Sequence, residues 1–234
     1  MKKIISIGLS ILFVLCMSSI AYAENDTAPV KRLQSEEDAA IASMFFNKQY
    51  VIYDKNGVDI TNTFYAAITP MFYSGNYAGV MDYFQENARH AEAITKDTTP
   101  VLTKSGLRSS HDNVRVVRDF IRSVDDVVHG FTGRNIIDGQ VELRYVVNSN
   151  EGEIISASKP NILYVRLYYQ HGELENSAEA SQERVSISSD KSRAVFSFHV
   201  HGMEYIQDST DIGTTLLGLA YRYEEDFSFT EYAG

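Results

Sequence analysis

Cysteine is nearly absent from this chain of 234 residues, and its one copy is Cys16. Cys16 lies in an apolar run near the N-terminus, so a chain that has lost this run contains no thiol. Such a chain has no disulfide, no cysteine nucleophile and no thiolate metal site. Its fold must therefore be held together by its hydrophobic core alone.

Tryptophan is missing, although the chain contains 15 tyrosines and 12 phenylalanines, and this argues against a module that stacks sugars on indole rings. Basic residues are also scarce, because 21 Lys and Arg stand against 31 Asp and Glu, for a net charge of −10. Nucleic acids and anionic membrane surfaces are bound through basic patches. We therefore expect neither as a partner.

Several catalytic motifs have no match in the sequence. The chain has no Gly-x-Ser-x-Gly nucleophile elbow, no His-Glu-x-x-His zinc motif and no Gly-rich loop ending in Lys-Ser or Lys-Thr. A pair of carboxylates for glycoside cleavage has no sequence signature, because any two acids can converge in space. A hydrolase acting on cell-wall or other polysaccharide therefore stays open, with carboxylates that the sequence does not identify.

The N-terminus has the three parts of an export signal. Lys2 and Lys3 precede an uncharged, mostly apolar run over residues 4–20, and Ala21-Tyr22-Ala23 forms a small-x-small exit. We predict a signal peptide over residues 1–23, whose removal leaves 234 − 23 = 211 residues, with 19 basic residues (21 − 2) against 31 acidic. The sequence predicts no stable membrane span after cleavage and places the protein outside the cytoplasm, in the medium or the cell envelope.

The sequence predicts an α+β fold in two parts. Residues 24–34 are expected to be a disordered leader, and residues 35–95 a mostly helical N-terminal unit with three short helices. Ser35 and Asn76 are candidate caps, and Lys55-Asn56-Gly57 is a turn signal between two short extended segments. The capping and turn signals, rather than any strong motif, define this unit.

After residue 95 the pattern changes to alternating runs, which predict an antiparallel β-sandwich over residues 100–234. Val141, Leu143, Tyr145 and Val147 form one apolar face, and Ala194, Phe196, Phe198 and Val200 form another. Residues 113–129 fit either a helix or two strands, and their β-branched content favours strands. Residues 171–183 have no apolar period and predict a long loop. The layout resembles the immunoglobulin-type sandwich of secreted bacterial proteins, without the Cys and Trp hallmarks of that fold.

Two histidines form the best candidate metal site. His199 and His201 are two residues apart on a predicted strand, so their imidazoles point to the same face, opposite Phe198 and Val200. Imidazole is a good ligand for zinc and copper, and a third ligand would have to come from elsewhere in the fold. Candidates for it are Glu204, His171 and His129. The simpler interpretation is a solvated pair of histidines with no cofactor.

A second candidate is a binding row on another predicted strand. Tyr164, Arg166 and Tyr168 alternate with Leu163, Val165 and Leu167, so the two tyrosines flank an arginine on one face. Tyrosine offers a large contact area and a hydroxyl, so an exposed row of this kind would be adhesive. The alternative is that a second sheet and the N-terminal helices cover both faces.

The sequence therefore favours a secreted, non-enzymatic binding or structural module of the bacterial cell exterior. Its expected partner is an unknown protein or polysaccharide there. A metal-binding protein that uses His199 and His201, with zinc or copper, is the first alternative. A cell-wall or polysaccharide hydrolase is the second.

Overall fold

The computed structural model describes residues 28–102, 108–124, 135–168, 176–210 and 213–234. Within these ranges, antiparallel sheets make up most of the structure, and with a few helices they give an α+β fold. The helices are α1 (Ala28–Asn47), α2 (Thr61–Tyr73) and α3 (Tyr77–Asn87). The strands are β1 (Val51–Tyr53), β2 (His90–Leu102), β3 (Arg108–Val124), β4 (Asn135–Asn148), β5 (Glu153–Ala157), β6 (Asn161–Tyr168), β7 (Asn176–Ile187), β8 (Arg193–Thr210) and β9 (Gly213–Tyr232). The described helices include none long and apolar enough to cross a membrane.

Helix α1 begins earlier than the sequence predicted. It starts at Ala28, so residues 28–34, which we expected to belong to a disordered leader, are helical. Pro29 is compatible with this start, since the first turn of a helix does not need its N–H, and the Lys, Arg, Leu and Gln that follow are good helix formers. Residues 1–23, the predicted signal peptide, and residues 24–27 lie outside the described residues.

Local signals place α2 and α3 where the sequence predicted them. Gly57 has a φ of +78°, and the Asp54 carboxylate accepts the backbone N–H groups of Asn56 and Val58, each at 2.8 Å, so this loop is a turn. The side chain of Asn76 accepts the N–H of Gly79 at 3.1 Å and caps α3.

Sheet A contains six strands. β1, β2, β3 and β4 are neighbours in that order, and the other edge of β4 pairs with β5 along one half and with β6 along the other. Residues 113–124 belong to the single long strand β3, which agrees with the preference for strand over helix. The rest of the ambiguous segment, residues 125–129, lies outside the described residues.

Sheet B contains β7, β8 and β9 in sequential order. Residues 176–183 are part of β7, so the long loop predicted for residues 171–183 is wrong over this part. The sequence signal failed because β7 is polar: it pairs with β8 through backbone hydrogen bonds, which require no apolar side chains. A bulge between Ser181 and Arg184, with Gln182 at a φ of +57°, further breaks the alternation.

The two sheets share one hydrophobic core, and the face of each sheet toward it is called the inner face here. Both alternating sets singled out in the sequence are buried in this core, one from β4 and one from β8. Phe120 of β3 lies 4.5 Å from Phe227 of β9 between ring centroids, and Phe198 of β8 stacks on Phe227 at 5.1 Å. Aromatic side chains therefore fill the space between the sheets.

The three helices bury their apolar sides against the outer face of sheet A. Phe45, Phe64 and Phe84, one from each helix, belong to the same cluster as Ile121 of β3 and Ile136 of β4. The predicted boundary at residues 95–100 falls within β2, and the predicted helical unit also contains β1. The helices and the sheets are therefore joined by a shared core, because the apolar helix faces have no other partner large enough to cover them.

Candidate functional site

The outer face of sheet A carries an unusual set of acids beyond the area that the helices cover. Asp119 lies on β3, and Asp138 and Glu142 lie on β4. All three are buried, although they point away from the core between the sheets. A buried carboxylate is stable only with charge partners or hydrogen bonds, so the residues around each one determine what this face presents to solvent.

Asp138 is fully buried beneath Arg166 of β6, its direct cross-strand neighbour. The guanidinium donates Nε to Oδ1 at 3.2 Å and Nη2 to Oδ2 at 2.8 Å, the bidentate arrangement that fixes both planes. Its Cζ lies 4.8 Å from the ring centroid of Tyr164 and 5.7 Å from that of Tyr168. Arg166 nevertheless remains 55 % exposed, so one edge of the guanidinium faces solvent between two tyrosines.

The predicted binding row is thus assembled as a rigid unit. The hydrogen bonds to Asp138 raise the pKa of Arg166, which stays charged at any relevant pH. Burial and the nearby Asp138 raise the pKa of Tyr168 to about 12, so its hydroxyl stays protonated. Burial also raises the pKa of Asp138, against the effect of Arg166. Both tyrosine hydroxyls bond to the Asp138 carboxylate, so the donor that this row offers to a ligand is the solvent-facing edge of the Arg166 guanidinium.

One residue of this strand departs from the predicted alternation. A bulge between Gln140 and Val141 shifts the pairing of β6, so Ile162 packs against the core in place of Leu163. Leu163 is 43 % exposed, whereas Leu167 is buried as expected. The face shared by Leu163, Val165 and Leu167 was therefore predicted wrongly at its first position, because a bulge has no clear signature in this run.

Asp119 is covered in the same manner by a cation from the helical part of the chain. The Nζ of Lys48, which follows α1, lies 2.5 Å from Oδ1 of Asp119, and the Gln140 amide donates to the same oxygen at 2.7 Å. Lys48 is half exposed while Asp119 is buried. This contact also ties the end of α1 to the middle of sheet A.

Glu142 holds two arginines that the strand pairing brings face to face. Arg115 and Arg144 are direct cross-strand partners on β3 and β4, an arrangement in which like charges repel. The Nε of Arg144 donates to Oε1 of Glu142 at 2.6 Å, and the Nε of Arg115 donates to Oε2. These two bonds hold the pKa of Glu142 below its usual range, and the bond from Arg144 has the larger effect. Asp97 lies 3.6 Å from Nη1 of Arg115.

His199 and His201 lie together on the outer face of sheet B, as the spacing predicted. Their ring centroids are 6.5 Å apart and the rings are nearly parallel. Nδ1 of His199 lies 2.9 Å from Oδ1 of Asp226, and Nε2 of His201 lies 3.5 Å from Oε2 of Glu179. Each imidazole thus has a carboxylate beside one nitrogen and keeps its second nitrogen for another partner.

The third metal ligand has not been found. Among the residues that the structure describes, no three His, Cys, Asp or Glu side chains converge as a metal site. His129, His171 and the side chain of Glu204 lie outside the described parts. A carboxylate–imidazole pair orients the ring and leaves its other nitrogen for a metal, so the histidine pair remains a candidate.

Several charged residues that the sequence did not single out lie between the two sheets. Nη2 of Arg118 bonds to Glu231 at 2.6 Å, and its Nη1 bonds to Glu92 at the same distance. Glu225 bonds to Arg89 at 2.7 Å and to Arg122 at 3.3 Å. The acidic run over residues 224–226 therefore contributes one residue, Glu225, to the interior. Glu225 is two residues from each of the apolar residues Tyr223 and Phe227, and this spacing was the sequence signal that could have placed it on the inner face.

Comparison with known protein families, with curated proteins and with solved structures finds no match. The functional argument therefore rests on the residues and their contacts.

Proposed function

We propose that this protein is a secreted, non-enzymatic binding module of the bacterial cell exterior. Its binding surface would be the open half of the outer face of sheet A. The observation that carries this proposal is the pairing on that face: each buried carboxylate lies under a cation that reaches solvent. This surface consists of four exposed cations and two partly buried tyrosines: Lys48, Arg115, Arg144, Arg166, Tyr164 and Tyr168.

The charge of this surface differs from the charge of the whole chain. The chain has a net charge of −10, yet on this face Asp119, Asp138 and Glu142 are buried, four cationic heads are exposed, and Asp97 is an exposed acid beside Arg115. A ligand meets the exposed groups first, so the face presents guanidinium and ammonium donors beside two phenol rings. The expected partner is a polymer with anionic groups, and an acidic polysaccharide of the cell exterior is the class we favour.

The rigidity of the surface supports binding over catalysis. Its side chains are on paired strands, and the bonds to buried carboxylates fix their positions before any ligand arrives, which lowers the entropic cost of binding. Asp138 is a poor general acid because it is fully buried and already holds Arg166. The hydrolase alternative therefore gains no support from this carboxylate.

The fold supports the proposal at the level of architecture. Two facing antiparallel sheets agree with the sandwich layout expected from the sequence. The immunoglobulin-like form of that layout remains a prediction. Among the described strands, neighbours within each sheet are largely sequential, whereas a Greek key requires a crossed connection.

Zinc or copper binding by His199 and His201 is the second candidate, and one observation favours it. The Asp226 carboxylate beside Nδ1 of His199 leaves Nε2 free to bind a metal. A thermal melt with zinc, copper or a chelator tests it. A metal at 100 times its dissociation constant should add about 2.7 kcal/mol of stability, and His199→Ala should abolish that shift.

Co-sedimentation of the exported protein with purified bacterial cell-wall polysaccharide tests the leading proposal. Tyr164→Leu should weaken binding about tenfold, because it removes the aromatic ring that flanks Arg166 without removing a charge. Tyr73→Leu is the matched control, since Tyr73 is an exposed tyrosine of α2 on the helical part of the chain. Equal binding by the two variants, or no binding by the unmodified protein, would reject the proposal.

A further inference from the structure

We infer that Arg115 and Arg144 form a phosphate-binding site at the end of the outer face of sheet A that is distant from the helices. This inference rests on the proposed function, and it names the chemical group that the binding surface would take. The site is a groove of about 390 Å³ that these arginines line together with the polar side chains of Thr99, Asn113, Ser156 and Ser158.

The arrangement of the two arginines needs an explanation. Direct cross-strand partners of the same charge destabilise a sheet, yet Arg115 and Arg144 occupy such a pair. Glu142 holds both by the Nε atom, so its two oxygens bring the two guanidiniums close together. Glu142 is 4 % exposed, whereas Arg144 is 64 % exposed. The acid is thus inaccessible from solvent while the terminal nitrogens of Arg144 are accessible.

The two guanidiniums of the groove face two carboxylates, so an anion has to compete with Asp97. Glu142 neutralises one of the two guanidiniums, and Asp97 is an exposed carboxylate 3.6 Å from Nη1 of Arg115. Nothing in the described contacts pairs the terminal nitrogens of Arg144 with a carboxylate. An anion that approaches from the groove would therefore find the Arg144 end first, and it would displace or share Asp97 at Arg115.

Phosphate fits this donor set better than a carboxylate. One guanidinium fork satisfies both oxygens of a carboxylate, whereas a phosphate group has more acceptor oxygens and more charge. Two guanidiniums, three hydroxyls and one amide along the groove offer more donors than a carboxylate can use. A phosphate group, free or within a phosphodiester polymer, is therefore the ligand class that we assign.

Calorimetric titration of the exported protein with inorganic phosphate tests the inference. We expect a dissociation constant on the order of 1 mM at low salt, since the site is open to solvent and the chain is acidic. Arg115→Gln together with Arg144→Gln should weaken binding about tenfold or more. The control is Arg184→Gln with Arg193→Gln, which removes the same charge from exposed positions of sheet B. Equal loss in both double variants, or no binding at about 10 mM phosphate, would overturn the inference.

A conservative variant guards against a loss of folding. Arg144→Lys keeps the charge beside Glu142 but has no planar fork, so it should keep the melting temperature and still weaken phosphate binding several-fold. Unchanged phosphate affinity in this variant would contradict a role for the fork. A polyglycerol phosphate should bind more tightly than a polygalacturonate of equal length, and the reverse order would overturn the choice of phosphate.

The experiments distinguish failure of the phosphate site from failure of the proposed function. If phosphate binds at Arg115 and Arg144 but cell-wall polysaccharide does not sediment the protein, the proposed function fails and the phosphate site stands. If polysaccharide binding depends on Tyr164 but phosphate does not bind, the phosphate site fails alone.

Discussion

The two faces of sheet A both bury carboxylates, but they treat the partner cation in opposite ways. On the inner face, Arg118 and Glu231 are both buried, with side chains 10 % and 8 % exposed. On the outer face, Asp138 is 0 % exposed while its partner Arg166 is 55 % exposed. Pairs with two buried members serve the fold, because neither charge can meet a ligand. In a pair with one exposed member, the buried carboxylate holds the exposed cation in place and leaves it available to a ligand.

The largest effect should come from breaking an inner pair. Arg118→Met leaves Glu231 and Glu92 buried without their shared partner, so it should cost about 3–5 kcal/mol of the free energy of unfolding. The remaining donor to Glu231 is Tyr145, at 3.2 Å, and a neutral hydroxyl does not replace a guanidinium. Urea unfolding measures the loss.

The matched substitution on the outer face is Arg144→Met, which should cost about 1 kcal/mol or less because Arg115 still holds Glu142 and Arg144 is largely exposed. Similar losses for Arg118→Met and Arg144→Met would remove the distinction between the two faces.

A medium effect should come from Gly139, which lies on β4 between the core and β6. A Cβ at this position would lie 2.5 Å from Cζ of Phe120 and 2.9 Å from the backbone oxygen of Tyr164. Gly139→Ala should therefore cost about 1–3 kcal/mol through overpacking. Combining it with Phe120→Leu should show a coupling energy of about 0.5 kcal/mol or more. Strict additivity in this double-mutant cycle would mean that the Phe120 ring is not the obstacle.

The inner face should also make stability depend on pH through His90. Burial, with the nearby charges of Arg122 and Arg118, lowers the pKa of His90 against the effect of Glu92. Its Nδ1 is buried without a hydrogen-bond partner among the described residues. The unfolded chain therefore binds a proton at His90 more readily than the folded chain does. The stability that neutral His90 contributes is lost as pH falls below the pKa of about 6.5 that this histidine has in the unfolded chain.

His90→Phe removes this group and keeps a ring against Tyr53. From pH 7 to pH 5 the free energy of unfolding should fall less in the variant than in the unmodified protein. The difference between the two falls should be about 1.4 kcal/mol for each unit by which folding lowers the pKa of His90. Parallel pH profiles for the two proteins would show that His90 does not contribute.

The smallest effect should come from the histidine pair on sheet B. His199→Ala combined with His201→Ala should change the free energy of unfolding by about 0.5 kcal/mol or less, because the partner acids Asp226 and Glu179 are themselves exposed. A much larger loss, or a zinc-dependent melting temperature that disappears in the variant, would favour the metal candidate.

Sequence reasoning succeeded where alternation and burial coincide. The inner faces of β4 and β8 were identified because each has four apolar residues at period two, and local chemistry identified the turn at Gly57 and the cap of α3 at Asn76. Ser35, the other predicted cap, was predicted wrongly, because it lies within α1. Sequence reasoning also failed at β7 and at the β6 bulge. Backbone pairing holds β7 with little apolar burial, and the bulge shifts the register without a marker residue.

The candidate site was only partly accessible to sequence reasoning. Tyr164, Arg166 and Tyr168 were found because they share one strand. Asp138, Glu142, Arg115 and Arg144 were not found, because the site depends on which strands lie next to each other and in which register. Period two tells which residues share a face, but it does not tell which partner lies across the sheet.

The most direct test of the difference between the two faces is NMR of the arginine side chains of the protein during a phosphate titration. The Nε–H signals of Arg115 and Arg144 should shift and saturate together, while those of Arg118 and Arg122 stay in place. Equal shifts for all four arginines, or saturable shifts at Arg118 alone, would contradict the view that only the outer face holds its cations for a ligand.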